Sequence, residues 1–189
     1  MRIPYILGIL CCCIGVTIAQ SLSGSASQRS GIVLKALKNL QNDTTKDMEI
    51  IRSAISSLKA QSIETRNASS VKVVNDAFNR IIASVNHTTH ELASGSQLPK
   101  RQVSGFPPLQ DASAIAKVLI DITTNIASLF VEALDVFNQS SILIAIGTVI
   151  GKALLGLLDV VGVIIRDVPG IQQAIQLVVG ILKKVLAFN

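Results

Sequence analysis

Two histidines and a neighbouring glutamate are the side chains best placed to bind a ligand or to move a proton. His87 and His90 are the only histidines of the chain, and three residues of spacing put both on one face of a helix. The run His87-Thr-Thr-His90-Glu91 differs from the zinc-protease motif HExxH, because the glutamate follows the second histidine and no third ligand is evident. It permits a zinc site or two solvated histidines at a helix end, and the sequence favours the solvated pair.

Other catalytic arrangements are missing from the sequence. The three cysteines occupy positions 11–13, in a segment that we expect to be removed, so no thiol nucleophile is retained. Serines are numerous, but no GxSxG nucleophile motif occurs. Asp121, Glu132 and Asp135 fall on the polar side of a predicted helix, and nothing marks two of them as a catalytic pair. These observations indicate a protein that is not an enzyme and that needs no cofactor or metal.

The first 19 residues have the pattern of a secretory signal peptide. Arg2 supplies the positive start, residues 6–18 form a short apolar run, and Thr17-Ile18-Ala19 offers small residues for cleavage after Ala19. An uncleaved membrane anchor is the alternative, but the run is short for a spanning helix. Secretion would leave a chain without disulfides that depends on core burial. Residues 20–29 are rich in serine and are predicted to be a flexible leader.

Four glycosylation sequons support export. They are Asn42-Asp43-Thr44, Asn67-Ala68-Ser69, Asn86-His87-Thr88 and Asn138-Gln139-Ser140, and glycosylated asparagines must face solvent. The sequence predicts a secreted, extracellular glycoprotein, with glycans expected on these asparagines. Nucleic acid is not expected as a partner, because the chain has no Trp and its one Tyr lies in the signal segment, which leaves few rings for base stacking.

Apolar residues at steps of three and four predict five helices and no strand. The helical pattern begins near residue 30 and includes a polar gap around Thr44, which permits one long helix or two. Further helices are predicted at 70–92, 113–137, 141–166 and 170–188. The fold class is therefore all-α, a helical bundle in which the fourth helix is nearly all apolar.

A loop with three prolines and two glycines, at residues 93–110, separates two groups of helices. The N-terminal helices are predicted at 30–92 and the apolar C-terminal helices at 111–189. Residues 20–101 carry the basic excess of the chain, whereas residues 102–189 are nearly neutral. We expect the two groups to pack together as one domain. Lys100-Arg101 in the loop is either a processing site for a dibasic-specific protease or a solvated pair of charges.

The fourth helix, residues 141–166, contains two internal charges and four glycines in a largely apolar run that ends at Arg166. It is long enough to cross a bilayer. Lys152 and Asp159 are seven residues apart and share one face, so they mark a solvent-facing edge or hold a polar head group at the mouth of a cavity. The rest of the helix is predicted to be buried on most sides. Its glycines permit close helix contacts in a soluble bundle or in a membrane.

Three segments resemble a known family. The helix LKALKNLQNDTTKDMEIIRSAI, the helix VVNDAFNRIIASVNHTTHEL and the helix IAKVLIDITTNIASLFVEAL, in a secreted chain poor in cysteine and aromatic residues, are similar to the fungal hydrophobic surface-binding protein A and cell-wall galactomannoprotein family. The resemblance implies a helical bundle that binds fatty acids or hydrophobic surfaces, in some members at the cell wall. It implies no specific functional residue.

Three functions therefore stay open. The first is binding of lipid or of a hydrophobic surface, with an apolar cavity walled by Ile122, Leu129, Ile146, Ile150, Leu154, Leu158, Ile175 and Leu182. The second is membrane insertion or pore formation by fragment 102–189 after cleavage at Arg101. The third is a structural, glycosylated protein of a wall or coat. The sequence does not indicate an oligomeric state.

Overall fold

Five α-helices and no strand make up the described part of the chain. The computed structural model describes residues 26–59, 68–95, 109–137, 141–166, 168 and 170–185. The helices are α1 (Ala26–Lys59), α2 (Ala68–Ala93), α3 (Leu109–Val136), α4 (Ser141–Ile164) and α5 (Ile171–Val185). The predicted all-α fold of five helices is confirmed.

Three helices begin earlier than the apolar pattern predicts. α1 begins at Ala26, inside the predicted leader 20–29, while α2 begins at Ala68 and α3 at Leu109. The predicted starts were 30, 70 and 113. Differences of two to four residues are expected, because an apolar stripe locates the body of a helix better than its ends. The loop predicted at 93–110 is shorter for the same reason, because α2 includes Ala93 and α3 includes residues 109 and 110.

α1 is one continuous helix through the polar gap. The Thr44 hydroxyl donates a hydrogen bond to the Leu40 carbonyl at 2.8 Å, and the Thr45 hydroxyl donates to the Gln41 carbonyl at 2.7 Å. Each hydroxyl therefore bonds a carbonyl of the preceding turn of its own helix, an arrangement that a continuous helix accommodates. Of the two alternatives that the sequence left open, the single long helix is the observed one.

The helices form a bundle in which sequence neighbours are not always the main packing partners. α1 packs along both α2 and α3, α2 packs along α4, and α3 packs against α5, whereas α4 contacts α3 and α5 more lightly. One continuous cluster of buried apolar side chains contains residues from all five helices. The two groups of helices on either side of the loop thus share one core.

The centre of this core is an aromatic pair with a glycine beside it. Phe78 of α2 and Phe130 of α3 are both buried, and their rings meet edge to face with centroids 5.9 Å apart. Gly147 of α4 faces the Phe130 ring so closely that a Cβ atom there would overlap it. The absence of a side chain at Gly147 is what lets α4 approach α3 at this level.

Two polar contacts fix the helices relative to one another. The Asp47 carboxylate of α1 accepts a 2.7 Å hydrogen bond from Arg80 Nε of α2, and the Asp47 side chain is only 13% exposed. Gln172 of α5 donates from Nε2 to the Gly162 carbonyl of α4 at 3.2 Å. Gly170, with φ +83°, lies directly before α5 and adopts a conformation that favours glycine.

Candidate functional site

The first half of α4 presents apolar side chains to solvent. Ile142 is 53% exposed, Ile144 50% and Val149 48%, and Ala145 is also exposed. These four residues, which we call the outer face of α4, lie within two and a half turns of one helix. Ile142, Ala145 and Val149 lie toward one edge of its exposed side and Ile144 at the other edge, with the exposed Ser141 and Thr148 between them. The first charged residue along α4 is Lys152. The predicted burial of this helix on most sides is therefore wrong for its first half.

Packing on one side only explains this exposure. The inward side of α4 carries Leu143, Ile146 and Ile150, which are all buried, and it lies mainly against α2. No described helix packs along the opposite side with comparable contact, because α3 and α5 touch α4 only lightly. An apolar helix with one covered side necessarily has an apolar exposed side.

Lys152 and Asp159 lie on this same exposed side of α4. Both side chains are exposed, which agrees with the interpretation that they mark a solvent-facing edge. The two charges lie in the second half of the helix, so the exposed side is uncharged in its first half, where Ser141 and Thr148 are its polar residues, and charged beyond it. Lys152 therefore borders the outer face on its C-terminal side.

The eight predicted cavity residues lie in the packed core. Ile122, Leu129, Ile146, Ile150, Leu154, Leu158 and Leu182 are buried, and Ile175 is half-buried against them. The structure brings all eight into one apolar cluster, as expected of residues on the inward faces of α3, α4 and α5. At the level of Phe130 and Gly147 the space between α3 and α4 is filled by the aromatic ring.

Two shallow grooves lie on the surface of α1. One, of about 380 Å³, runs between α1 and α3 and is lined by Arg52, Ile55, Ser56, Lys59, Asn125, Ser128, Leu129 and Glu132. Lys59 Nζ and Glu132 Oε2 are 4.0 Å apart there. The other, of about 520 Å³, lies between α1 and α2 and is lined by Lys46, Glu49, Ile50, Ser53, Ala54, Ser57 and Val73. No histidine lines either groove, so their serines have no adjacent imidazole base.

The histidines are on the exposed side of α2. His87 Nε2 lies 3.4 Å from Glu91 Oε1, one turn further along the helix, and both histidines are exposed. Among the described residues, no group of three His, Cys, Asp or Glu side chains is close enough to hold a metal ion. The structure thus places His87 and His90 in a solvated setting with one carboxylate neighbour.

The predicted modification sites divide into two sets. Asn42 of α1 and Asn86 of α2 have exposed side chains, as glycosylation requires. The sequon asparagines Asn67 and Asn138, the cleavage site after Ala19 and the dibasic pair Lys100-Arg101 all lie outside the described residues, as does the whole signal segment 1–19.

Two consecutive helices are long and apolar enough to span a membrane. These segments are Ala112–Val136 and Ser141–Ile164, with mean hydropathies of 1.6 and 2.1. In the structure 50% and 44% of their most apolar windows are buried within the bundle. A core helix of a soluble protein meets the same criterion, so the two segments agree equally with a soluble bundle and with membrane contact.

Sequence reasoning missed the outer face of α4, although a signal for it exists. Lys152 marks the exposed side, and one step of seven residues toward the N-terminus leads to Ala145 on the same side. The adjacent turns then add Ile142 and Val149. Lys152 and Asp159 therefore indicated which side of α4 is exposed. The apolar residues on that side were not identified because the helix was expected to be buried on most sides.

No protein-family model, no curated protein and no solved structure matches the chain.

Proposed function

We propose that this chain is an exported, non-enzymatic helical protein that adsorbs to hydrophobic surfaces or lipid through the outer face of α4. The signal-peptide pattern and the sequons support export. The apolar outer face supports adsorption, with a lipid–water interface or a hydrophobic solid as the partner. A location at the cell wall follows only from the family resemblance and is part of the proposal.

The observation that carries the proposal is that three half-exposed β-branched side chains lie within two and a half turns of α4, Ile142 and Val149 toward one edge of its exposed side and Ile144 at the other. Single exposed apolar residues are common on soluble proteins, but several on one side of one helix favour a contact surface. Complete burial of an Ile or Val side chain contributes about 1.5–3 kcal/mol. Since Ile142, Ile144 and Val149 are already half buried, each has about 1 kcal/mol left to gain.

The sum, about 3 kcal/mol, corresponds to roughly a hundredfold increase in partitioning. A contact of this strength is reversible for a single molecule and becomes effective on an extended surface where many molecules adsorb. Salt does not weaken it by charge screening, since the outer face carries no charge. The protein would therefore be surface-active, with a weak contact for each single molecule.

The packing of the core favours an external contact over an internal ligand. An acyl chain between α3 and α4 would have to share the space that Phe130 occupies beside Gly147. Phe130 is in turn held by its contact with Phe78, so its displacement would disturb the centre of the bundle. The residues predicted to wall a cavity contribute stability by packing with one another, which leaves the outer side of α4 for contact with lipid.

A comparison of two triple variants tests this proposal. The first replaces Ile142, Ile144 and Val149 by serine. Adsorption to neutral phosphatidylcholine vesicles and to a methyl-terminated surface should fall by about a hundredfold, while the helical circular dichroism stays unchanged because the three side chains are half-exposed.

The matched control removes the same number of exposed apolar side chains from other helices. Val73, Val131 and Leu177 are 46%, 46% and 57% exposed, and their replacement by serine should leave adsorption within a few-fold of the parent chain. Equal losses in the two triple variants would show that adsorption is not specific to α4. A saturable, one-to-one complex with a fatty acid that survives both triple variants would instead indicate an internal site.

A second candidate function is membrane insertion by α3 and α4. Both helices meet the length and hydropathy criterion, and only residues 137–140 separate them. Insertion requires α3 to leave α1, and it places the charged residues Lys117, Glu132 and Asp135 in or near lipid, which is costly. Dye release from vesicles by the full chain, or by fragment 102–189 after cleavage at Arg101, would support insertion. Adsorption without dye release would support the surface contact.

A further inference from the structure

Two glycosylation sequons lie inside helices that are complete in the folded protein. Asn42-Asp43-Thr44 is in the middle of α1, and Asn86-His87-Thr88 is in the last third of α2. Both asparagines are exposed. Both threonines are buried: Thr44 is 0% exposed and Thr88 6%. Each sequon thus has its acceptor residue in solvent and its recognition residue in the core.

Helix geometry accounts for this split. Residues two positions apart on an α-helix are separated by about 200° around its axis. Asn42 and Asn86 lie far enough from the edges of the exposed sides of α1 and α2 that the threonine two positions later falls on the buried side. The Thr44 hydroxyl is moreover engaged with the carbonyls of Leu40 and Gln41, at 2.8 and 3.2 Å.

The transfer reaction needs both groups in one site. The enzyme that attaches the glycan binds the asparagine amide and the threonine hydroxyl of the sequon together, which requires a locally extended or turned backbone. A bond forms between the amide nitrogen and the anomeric carbon of the sugar. The bond from that carbon to a lipid pyrophosphate donor breaks, and the amide loses one proton. A sequon whose two groups point 200° apart on a helix cannot be held in this way.

We propose that Asn42 and Asn86 are N-glycosylated before α1 and α2 fold, and that folding closes both sites to later modification. The exposed asparagines then carry their glycans into solvent, and the threonines enter the core. This inference rests on the proposed export of the chain and is independent of the contact made by the outer face of α4.

The test compares one sequence in two states. In an Asn67→Gln/Asn138→Gln background, which removes the other two sequons, the chain is synthesised in the presence of microsomes. In parallel, the folded chain from a bacterial host is incubated with solubilised oligosaccharyltransferase and a lipid-linked oligosaccharide donor. Both versions carry an added Asn-Gly-Thr sequon after Asn189, which reports enzyme activity on an unstructured extension. Occupancy of each asparagine is measured by mass spectrometry.

We expect both sites to be occupied on chains made with microsomes. On the folded chain, modification of Asn42 and Asn86 should be at least about a hundredfold slower than modification of the added sequon, because it requires local unfolding of a packed helix. Thr44→Val and Thr88→Val keep the shape of the buried side chain and remove the hydroxyl, so each should abolish glycosylation at its own sequon only.

Two results would overturn the proposal. One is an unmodified Asn42 or Asn86 on chains that are protected from protease inside microsomes and carry a glycan on the added sequon. The other is modification of the folded chain at the same rate as the added sequon. If the chain does not enter microsomes at all, the proposed export fails and this inference fails with it, whereas adsorption of the purified protein is measured separately.

Discussion

Substitution of Gly147 by alanine tests the packing at the centre of the bundle. A methyl group on Gly147 would overlap the ring of Phe130, with Cε1 only 2.7 Å from the new Cβ. The ring has little freedom to retreat, because it is buried and meets Phe78 at an interplanar angle of 71°. Either the aromatic pair or the α3–α4 spacing must change.

The expected magnitude follows from two opposing effects. Replacement of glycine by alanine inside a helix stabilises it by about 1 kcal/mol. Overpacking of a well-filled core costs about 1–3 kcal/mol, and the overlap at Gly147 is severe enough for the upper part of that range. We therefore expect Gly147→Ala to lower the free energy of unfolding by about 1–2 kcal/mol.

Gly156→Ala is the matched control on the same helix. A Cβ atom at Gly156 has no other atom within 4 Å, so this variant should show only the gain in helix propensity, about 0.5–1 kcal/mol. The two variants should differ by about 2–3 kcal/mol in urea unfolding followed by circular dichroism, and by about 5–10 °C in melting temperature.

The contact with Phe130 is tested by a double-mutant cycle. Phe130→Leu removes the ring atoms that meet the new methyl group, so Gly147→Ala should be less destabilising in that background, with a favourable coupling energy of about 1 kcal/mol. A Gly147→Ala variant as stable as Gly156→Ala would refute the close approach of α4 to Phe130. Additive effects of the two substitutions would refute the assignment of the overlap to that ring.

Three further substitutions test other parts of the structure by urea unfolding. Asp47→Ala should cost about 1–3 kcal/mol, since it removes a charged hydrogen bond to Arg80 from a largely buried position, whereas Asp76→Ala, which breaks an exposed ion pair, should cost at most about 0.5 kcal/mol. Thr44→Val should change stability by less than about 1 kcal/mol, because its hydroxyl bonds carbonyls of its own helix. Leu154→Ala should cost about 2–5 kcal/mol if this residue packs in a filled core, and a cost below about 1 kcal/mol would favour an open cavity there.

Hydrophobic periodicity was sufficient to predict the fold class and the number of helices. It succeeded because most of the helices have a polar side that contrasts with their buried side, as Lys72 and Asp76 contrast with Val74 and Phe78 on α2. Periodicity was less informative about helix starts, because an apolar stripe locates the body of a helix better than its ends. It also could not decide the continuity of α1, which depends on hydrogen bonds of Thr44 and Thr45 within one turn.

The candidate site was not predicted, because it lies on the helix whose buried and exposed sides differ least in polarity. Along residues 141–151 of α4 no charge distinguishes a buried side from an exposed one, so sequence alone gives the helix no preferred orientation. The helices that pack against α4 determine its orientation. α2 covers one side of it, and the side that carries Gly147 lies against Phe130 of α3. Only Lys152 and Asp159 carry this information in the sequence, and they do so from the second half of the helix.

We propose a contact role for the outer face of α4 because folding does not require it. Ile142, Ile144 and Val149 are about half exposed, and polar residues at these positions would leave the buried partners of α4 unchanged. Isoleucine and valine are also weaker helix formers than alanine or glutamate, so helix propensity does not explain them. Their apolar surface gains free energy only through contact with something outside the described helices. Lipid or a hydrophobic solid provides that contact without a complementary shape, whereas a second copy of the chain would have to present a matching face. A concentration-dependent mass in sedimentation would identify self-association as the competing explanation, and a monomer that adsorbs through α4 would leave the surface contact as its function.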